Sequence, residues 1–305
     1  MTVVAVTGAT GTIGAAVCRA LLARGDEVIA LSRDAKRARA ALGQEVTAFE
    51  WGEPTSTPPP AEALTGAGAV IHLLGEPIAQ RWSESARQRI HDSRVLSTRM
   101  LVAALRALPD DARPAVLVSQ SATGYYGPCD ERPLDEVAPG GSDFLAGVVT
   151  AWENEAMAAV DVTRVVTART GVVLSPSGGA LSKMLPPFKL GVGGPVAGGH
   201  QYVSWIHLDD EAAALLFCVD HADARGPVNL TAPNPVDNAE LSRALGRALH
   251  RPAVLPVPGF ALGLLYGEMG KIVTTGQRVL PHRLLELGFE FRQPAIEPAL
   301  RDVLS

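Results

Sequence analysis

The sequence predicts an α/β fold: a doubly wound parallel sheet with a smaller C-terminal substrate-side region. Three observations carry that expectation. Apolar β-type runs alternate with stretches of helical periodicity from the N-terminus onward, the order that places helices on both faces of a parallel sheet. Residues 69–74 are apolar at every position but His72 and show no alternation, as strands buried on both faces do. The first strand also runs directly into a glycine-rich turn and a helix. Together these features describe a Rossmann-like sheet.

Each element has its own signal. Residues 2–7 read as a strand and 13–24 as the helix after it. Residues 27–31 form a second strand, 45–51 a weaker one, and 55–60 a Pro/Thr-rich loop. After the strand at 69–74, residues 84–108 carry the apolar spacing of a long helix that Pro109 stops. A strand at 115–119, a helix at 144–160 and a strand at 163–170 continue the alternation. It breaks at 175–199, where Gly and Pro predict an irregular loop over the sheet edge. A helix at 211–219 follows Asp209 and Asp210, either of which suits its N-cap. Residues beyond 233 are helix-rich with Pro-punctuated connections. The expected organisation is a nucleotide-binding domain of 1–174 plus about 205–232, with 175–204 and 233–305 packed over it.

Composition narrows the function. Apolar residues make up 47% of 305, ample for a sizeable core. The 32 acidic residues outnumber 27 Lys and Arg, for a net charge of −5. That balance argues against nonspecific binding to nucleic acid or to an anionic membrane. Lysine chemistry has only four candidates, Lys36, Lys183, Lys189 and Lys271. Cys18, Cys129 and Cys218 lie far apart without ligand spacing, so neither a disulfide framework nor a metal site is expected. No signal peptide and no apolar run of roughly 18 residues is visible, which predicts a cytoplasmic protein. The apolar run at 260–265 is too short to span and reads as a core helix.

The chemistry begins at Thr7-Gly8-Ala9-Thr10-Gly11-Thr12-Ile13-Gly14. Gly8 permits a tight turn, Gly11 lets backbone approach a pyrophosphate, and Gly14 allows close packing of helix on strand. The helix N-terminus adds unpaired N–H groups and positive dipole. The candidate phosphate-binding set is Gly8, Thr10, Gly11, Thr12, Ile13 and Gly14. At the tip of the second strand, folds that prefer NAD place an acid for the ribose hydroxyls. Here the tip reads Leu31-Ser32-Arg33. Arg33 can grip a 2′-phosphate bidentately and Ser32 can donate a hydroxyl, so the expected cofactor is NADP(H).

Further segments add to this pattern. They are Leu73-Leu74-Gly75-Glu76-Pro77-Ile78, Arg81-Trp82, Ser93-Arg94-Val95-Leu96-Ser97-Thr98 and Ser121-Ala122-Thr123-Gly124-Tyr125-Tyr126-Gly127. With Arg169-Thr170-Gly171-Val172-Val173-Leu174, Ser204-Trp205-Ile206-His207 and Gly276-Gln277-Arg278-Val279-Leu280-Pro281, they run along nearly the whole chain. The sequence resembles the short-chain dehydrogenase/reductase superfamily in its extended, epimerase-like branch. More narrowly, it resembles the atypical NADP-binding epimerase family with a small C-terminal domain of unknown function. That resemblance implies that Leu73, Leu74 and Gly75 lie along the adenosine ribose and pyrophosphate. It implies that Arg94, with Arg89 beside it, adds charge toward a phosphate, and that Val173 packs near the nicotinamide amide.

The resemblance also exposes a departure. The superfamily pairs a Ser or Thr after the fifth strand with a Tyr-x-x-x-Lys dyad on the next helix, which moves the proton while hydride moves to or from nicotinamide. None of the four tyrosines here has Lys four residues on, and the expected helix positions hold Phe144 and Val148. The candidate catalytic residues are therefore Ser121, Tyr125 and Tyr126 at the fifth-strand tip. Thr123, Glu153 and a His207 shuttle beside Asp209 and Asp210 are secondary candidates. Met184, Phe188, Gln201 and Tyr202 are the expected far wall of the cleft. Two functions stay open: an NADP(H)-dependent oxidoreductase or epimerase-like protein acting on an unidentified small molecule, or a non-catalytic NADPH-binding sensor or docking protein.

Overall fold

The computed structural model describes residues 1–129 and 131–305, apart from the side chains of Ala261, Leu265 and Tyr266. The N-terminal half alternates β1 (Val3–Thr7), α1 (Thr12–Ala23), β2 (Glu27–Ser32), α2 (Ala35–Leu42), β3 (Thr47–Glu50), β4 (Ala69–His72), α3 (Glu84–Ala107) and β5 (Val116–Ala122). It continues through β6 (Pro133–Leu134), α4 (Phe144–Met157), β7 (Arg164–Thr170), β8 (Val172–Leu174), α5 (Gly179–Lys189), β9 (Tyr202–Val203) and β10 (Trp205–His207). Then follow α6 (Leu208–Asp220), β11 (Gly226–Leu230), β12 (Val236–Asp237), α7 (Asn238–Leu249), α8 (Gly259–Tyr266) and α9 (Gly270–Thr274). The chain ends with β13 (Arg278–Val279), α10 (His282–Glu286) and α11 (Ile296–Leu304).

Among the described residues, seven parallel strands form the central sheet in the order β11-β7-β5-β4-β1-β2-β3. The winding reverses between β1 and β4, which opens a crevice at their carboxyl ends. Ala69, Val70 and Ile71 of β4 are fully buried, as a strand covered on both faces must be. One face packs Val17 and Leu21 of α1 with Ala214, Leu215 and Cys218 of α6. The other packs Leu101 and Leu105 of α3 with Ala156 of α4. Asp34, Ser83, Asp143 and Asp237 cap α2, α3, α4 and α7 by accepting the backbone N–H of Arg37, Ala86, Ala146 and Glu240. Beyond the sheet, β8 pairs with β10. Leu174, Trp205, Leu241 and Leu300 build a separate core there with α5, α7 and α11.

The structure corrects several expectations. The stretch at 175–199 is not loop throughout, because α5 forms with Pro186 and Pro187 inside it. Leu181, Leu185 and Phe188 recur at helical spacing and are all buried, and that packing outweighs the prolines near the helix end. Phe188 belongs to this second core rather than to a cleft wall. The N-cap of α6 is His207, whose Nδ1 accepts from Asp209 N at 3.1 Å. Asp210 is buried and accepts from Arg292 N and Gln293 N, tying α6 to the C-terminal segment. The run at 260–265 is not a core helix, since Phe260 and Leu264 are exposed. Helix α2 forms where the sequence reading placed no element. Among the described residues, no helix is long and apolar enough to cross a membrane.

Two buried titratable groups set a pH dependence. Glu211 accepts from Thr170 Oγ1 at 2.7 Å, while its Oε2 has no partner among the described residues. Burial pushes its pKa from 4.5 to about 8, so the fold holds a proton that the unfolded chain releases. Stability from this group therefore falls as pH rises from 4.5 to 8. Burial pushes His72 the other way, from 6.5 to about 3, so acidification below 6.5 favours the unfolded chain. Together they favour a mildly acidic optimum. Glu211→Gln should flatten the loss of melting temperature between neutral and alkaline pH. An unchanged slope in thermal melts across that range would contradict the assignment.

Candidate functional site

The carboxyl ends of β1, β2 and β4 bring the glycine turn, the Ser32-Arg33 tip and Leu73–Gly75 to one crevice. Gly8 sits at φ +63°, where a Cβ would lie 2.8 Å from Leu73 O. A Cβ on Gly14 would lie 2.3 Å from Gly8 O, so the start of α1 can rest on the turn only through glycine. Gly11 differs: its Cβ would meet only Gly8 O, at 3.2 Å. Gly11 is also the N-cap of α1, which has no side-chain cap and no acid in its first turn. The first-turn N–H groups, those of Thr12 and Ile13 among them, face no side-chain acceptor, and the helix dipole makes this end positive. These residues fit the phosphates of a dinucleotide. Thr10 is exposed on the same turn.

A buried relay holds the adjoining strand tips. Leu73 N donates to Thr7 Oγ1 at 3.0 Å, and Thr7 Oγ1 lies 2.8 Å from His72 Nδ1. On the other side of the ring, His72 Nε2 lies 3.0 Å from Thr98 Oγ1. Thr98 Oγ1 accepts from Trp152 Nε1 and donates to Arg94 O. Its proton is thereby used, so His72 Nε2 carries the ring hydrogen and Nδ1 accepts from Thr7. The relay links β1, β4, α3 and α4 directly beneath the crevice.

The charged candidates separate by environment. Arg33 is exposed and has no ion pair or hydrogen bond among the described residues, while Ser32 Oγ accepts from Asp34 N at 3.4 Å. Arg94 packs its guanidinium against Gly75, where a Cβ would lie 3.0 Å from it. Its Nη1 donates to Glu76 O and Ile90 O, and burial lowers its pKa to about 10. Arg89 is exposed, 3.4 Å from Gln80 Oε1 and 3.9 Å from Glu76, on the loop that leaves β4. Val173 lies in β8, opposite Ile206 of β10, packed against the main core. The loop before α5 closes on the turn: a Cβ on Gly178 would lie 2.3 Å from Thr12 Oγ1. Lys183 Nζ also donates to Ala79 O, bridging α5 to the β4–α3 loop.

Strand β5 extends to Ala122, so Ser121 lies inside the strand and its hydroxyl donates to Glu153 Oε1 at 2.6 Å. Glu153, on α4, also receives Arg169 in bidentate fashion, Nε to Oε1 and Nη2 to Oε2, both at 2.8 Å. Arg169 Nη1 donates to Tyr126 OH at 3.0 Å, and that hydroxyl donates to Asn229 Oδ1 at 2.7 Å. Burial pushes the Tyr126 phenol up to about 12. Glu136 closes the cluster: burial raises its carboxyl, and its Oε1 accepts from Asn229 N and Arg283 N. The Tyr125 ring lies 3.5 Å below the Arg169 guanidinium. Its hydroxyl makes no hydrogen bond among the described residues and the residue is half-buried. Thr123 is buried at the start of the turn after β5. Where the usual dyad would stand, Phe144 meets Trp82 edge-on at 5.1 Å and Arg87 at 4.6 Å.

Sequence reasoning named Ser121, the two tyrosines and Glu153, but gave no role to Arg169, Asn229 or Glu136. Beyond the cluster, a cavity of about 400 Å³ is lined by Cys129, Glu131, His200, Gln201, Tyr202 and Thr274. Gln201 and Tyr202 line this cavity, which shares no lining residue with the β1–β4 crevice, and Arg278 stacks over Tyr202. His207, Asp209 and Asp302 each bring one ligand-type atom within 4.8 Å of the others. Because Nδ1 of His207 accepts from Asp209 N, its Nε2 carries the ring hydrogen; Nε2 lies 3.1 Å from Asp302 Oδ2 without a hydrogen bond between them. His207 thus serves as the cap of α6.

Comparison with known proteins bears on this geometry. A family model described as the NAD dependent epimerase/dehydratase family matches residues 4–230, and a domain of unknown function, DUF1731, matches residues 257–303. The chain is 40% identical over 302 residues to the chloroplastic homologue of epimerase family protein SDR39U1 from Arabidopsis thaliana, covering 99% of this chain and 86% of that protein. It is 42% identical over 301 residues to epimerase family protein MT2273 from Mycobacterium tuberculosis, covering 98% and 96%. The crystal structure of human epimerase family protein SDR39U1 (isoform 2) with NADPH matches with a TM-score of 0.88 at 34% identity, covering 99% of each chain.

Proposed function

This chain belongs to the NAD-dependent epimerase/dehydratase family, and on that premise we propose that it binds NADP(H) in the β1–β4 crevice and serves hydride transfer to or from a small molecule by an atypical centre. The carrying observation is Arg33, exposed and without a partner among the described residues, at the β2 tip where an acid would select NAD(H). Ser32 and Arg33 would hold the 2′-phosphate, the α1 N-terminus the pyrophosphate, and Leu73–Gly75 the adenosine side, with Arg94 adding positive charge behind Gly75. The human relative crystallised with NADPH supports this choice. When bound, the cofactor supplies the hydride position at its nicotinamide ring.

The proton is the atypical part. Ser121 and Tyr126 are both committed to buried partners, whereas the Tyr125 phenol is partly exposed and has no hydrogen bond among the described residues. Tyr125 is therefore our candidate proton donor, with its ring positioned by Arg169. Stopped-flow oxidation of NADPH across a carbonyl, enone and UDP-sugar panel tests this. Simple ketones and UDP-sugars should turn over little. For any substrate found, Tyr125→Phe should lower kcat about 100-fold or more, with a smaller loss for Ser121→Ala or Tyr126→Phe. Robust turnover of an ordinary ketone, unaffected by all three changes, would refute the placement. The aromatic filling of the dyad position favours a second reading, a cofactor-binding protein without turnover, which tight NADPH binding with no oxidation by any member of the panel would support.

A further inference from the structure

Helix α8 carries no charged residue, and its Phe260 and Leu264 are 81% and 79% exposed. The chain leading to it runs beside the chain that follows α5: Val257 N donates to Pro195 O at 2.8 Å, Ala197 N to Val257 O at 3.0 Å and Leu255 N to Gly193 O at 3.3 Å. This pairing sets Leu190 (78% exposed) and half-exposed Val192 beside Val254 (76%) and half-exposed Leu255. Scattered exposed apolar residues are ordinary, but six large ones on adjoining segments are not.

Cations also border this ledge. None of the 32 acidic residues falls between Glu240 and Glu268, the stretch that carries Arg243, Arg247, Arg251 and α8. A cavity of about 460 Å³ beside the apolar side chains is lined by Arg243, Arg247, His250, Arg251 and Val254. Arg247 is paired with Glu297, and Arg251 Nε donates to Lys189 O. Arg243 has no partner among the described residues. The nearest acid after α8, Glu268, is paired with Arg87.

We propose that this ledge docks the protein on an anionic lipid bilayer. The apolar side chains would enter the acyl boundary, and Arg243 with Arg251 would meet the headgroup phosphates. Charge complementarity selects this occupant: a second copy would set cations against cations, and a neutral apolar partner would leave the arginines unused. The net charge of −5 argues against membrane binding only if charge is spread evenly, and here it is not.

Co-sedimentation of the full chain with vesicles of mixed phosphatidylglycerol and phosphatidylcholine, against pure phosphatidylcholine, tests the proposal. Binding should require the anionic lipid, weaken with salt, and weaken no more with inorganic phosphate than with sodium chloride of the same ionic strength. The double variant Phe260→Ser/Leu264→Ser and the double variant Arg243→Glu/Arg251→Glu should each weaken it about tenfold or more, with melting curves showing that both fold. No binding to anionic vesicles, binding indifferent to both double variants, or release by inorganic phosphate at an ionic strength where sodium chloride does not release it would each overturn it. So would a dimer in sedimentation velocity that Phe260→Ser/Leu264→Ser disrupts without any vesicle binding.

Discussion

Arg169→Met should lower stability by about 3–5 kcal/mol, the cost of removing one member of a buried ion pair. Arg169 and Glu153 are both buried and meet bidentately, and the same guanidinium serves Tyr126 OH and Glu136 O. Methionine fills most of the volume but leaves Glu153 with only the Ser121 hydroxyl. In a chain of this size the melting temperature should fall on the order of 5–10 °C. Because a pair is costly mainly when it is broken, the double variant Arg169→Met/Glu153→Leu should recover much of the loss. A drop below about 1 kcal/mol for the single variant would mean that water already screens the pair.

The second large effect separates two glycines of one turn. Gly14→Ala sets a methyl group 2.3 Å from Gly8 O and 2.8 Å from Ala9 Cα, both backbone positions. The turn must deform, so fold stability and NADPH binding should fall together. Gly11→Val meets no protein atom closer than 3.2 Å at its Cβ, so circular dichroism should stay native. Its branched side chain occupies the approach to the α1 N-terminus, so NADPH fluorescence should show no binding. A Gly11→Val protein that binds normally would place the cofactor elsewhere.

The glycine turn, β4 and the long α3 are legible because their signals are local: a spacing, an apolar run, a proline stop. Helix α5 was hidden by Pro186 and Pro187, whose local preference yields to the burial of Leu181, Leu185 and Phe188. Asp209 and Asp210 look like caps by type, yet His207 takes that role, a choice made by backbone geometry at the end of β10. The exposed α8 has the composition of a core helix, and composition alone does not say what covers it. In the candidate site, the glycines and Arg33 were readable as one motif. The Arg169 cluster was not, because its bonds join residues far apart in the chain, Ser121 with Glu153 and Tyr126 with Asn229. No spacing rule connects positions that meet only when β5, α4, β7 and β11 are assembled.

Titration of the purified protein with NADPH and with NADH, for wild type and for Arg33→Ala, tests the cofactor assignment most directly. Wild type should prefer NADPH by about tenfold or more, since one charge-assisted contact contributes about 1.5–3 kcal/mol. Arg33→Ala should lose that preference through weaker NADPH binding, with NADH affinity little changed. Equal wild-type affinity for the two cofactors would contradict the assignment.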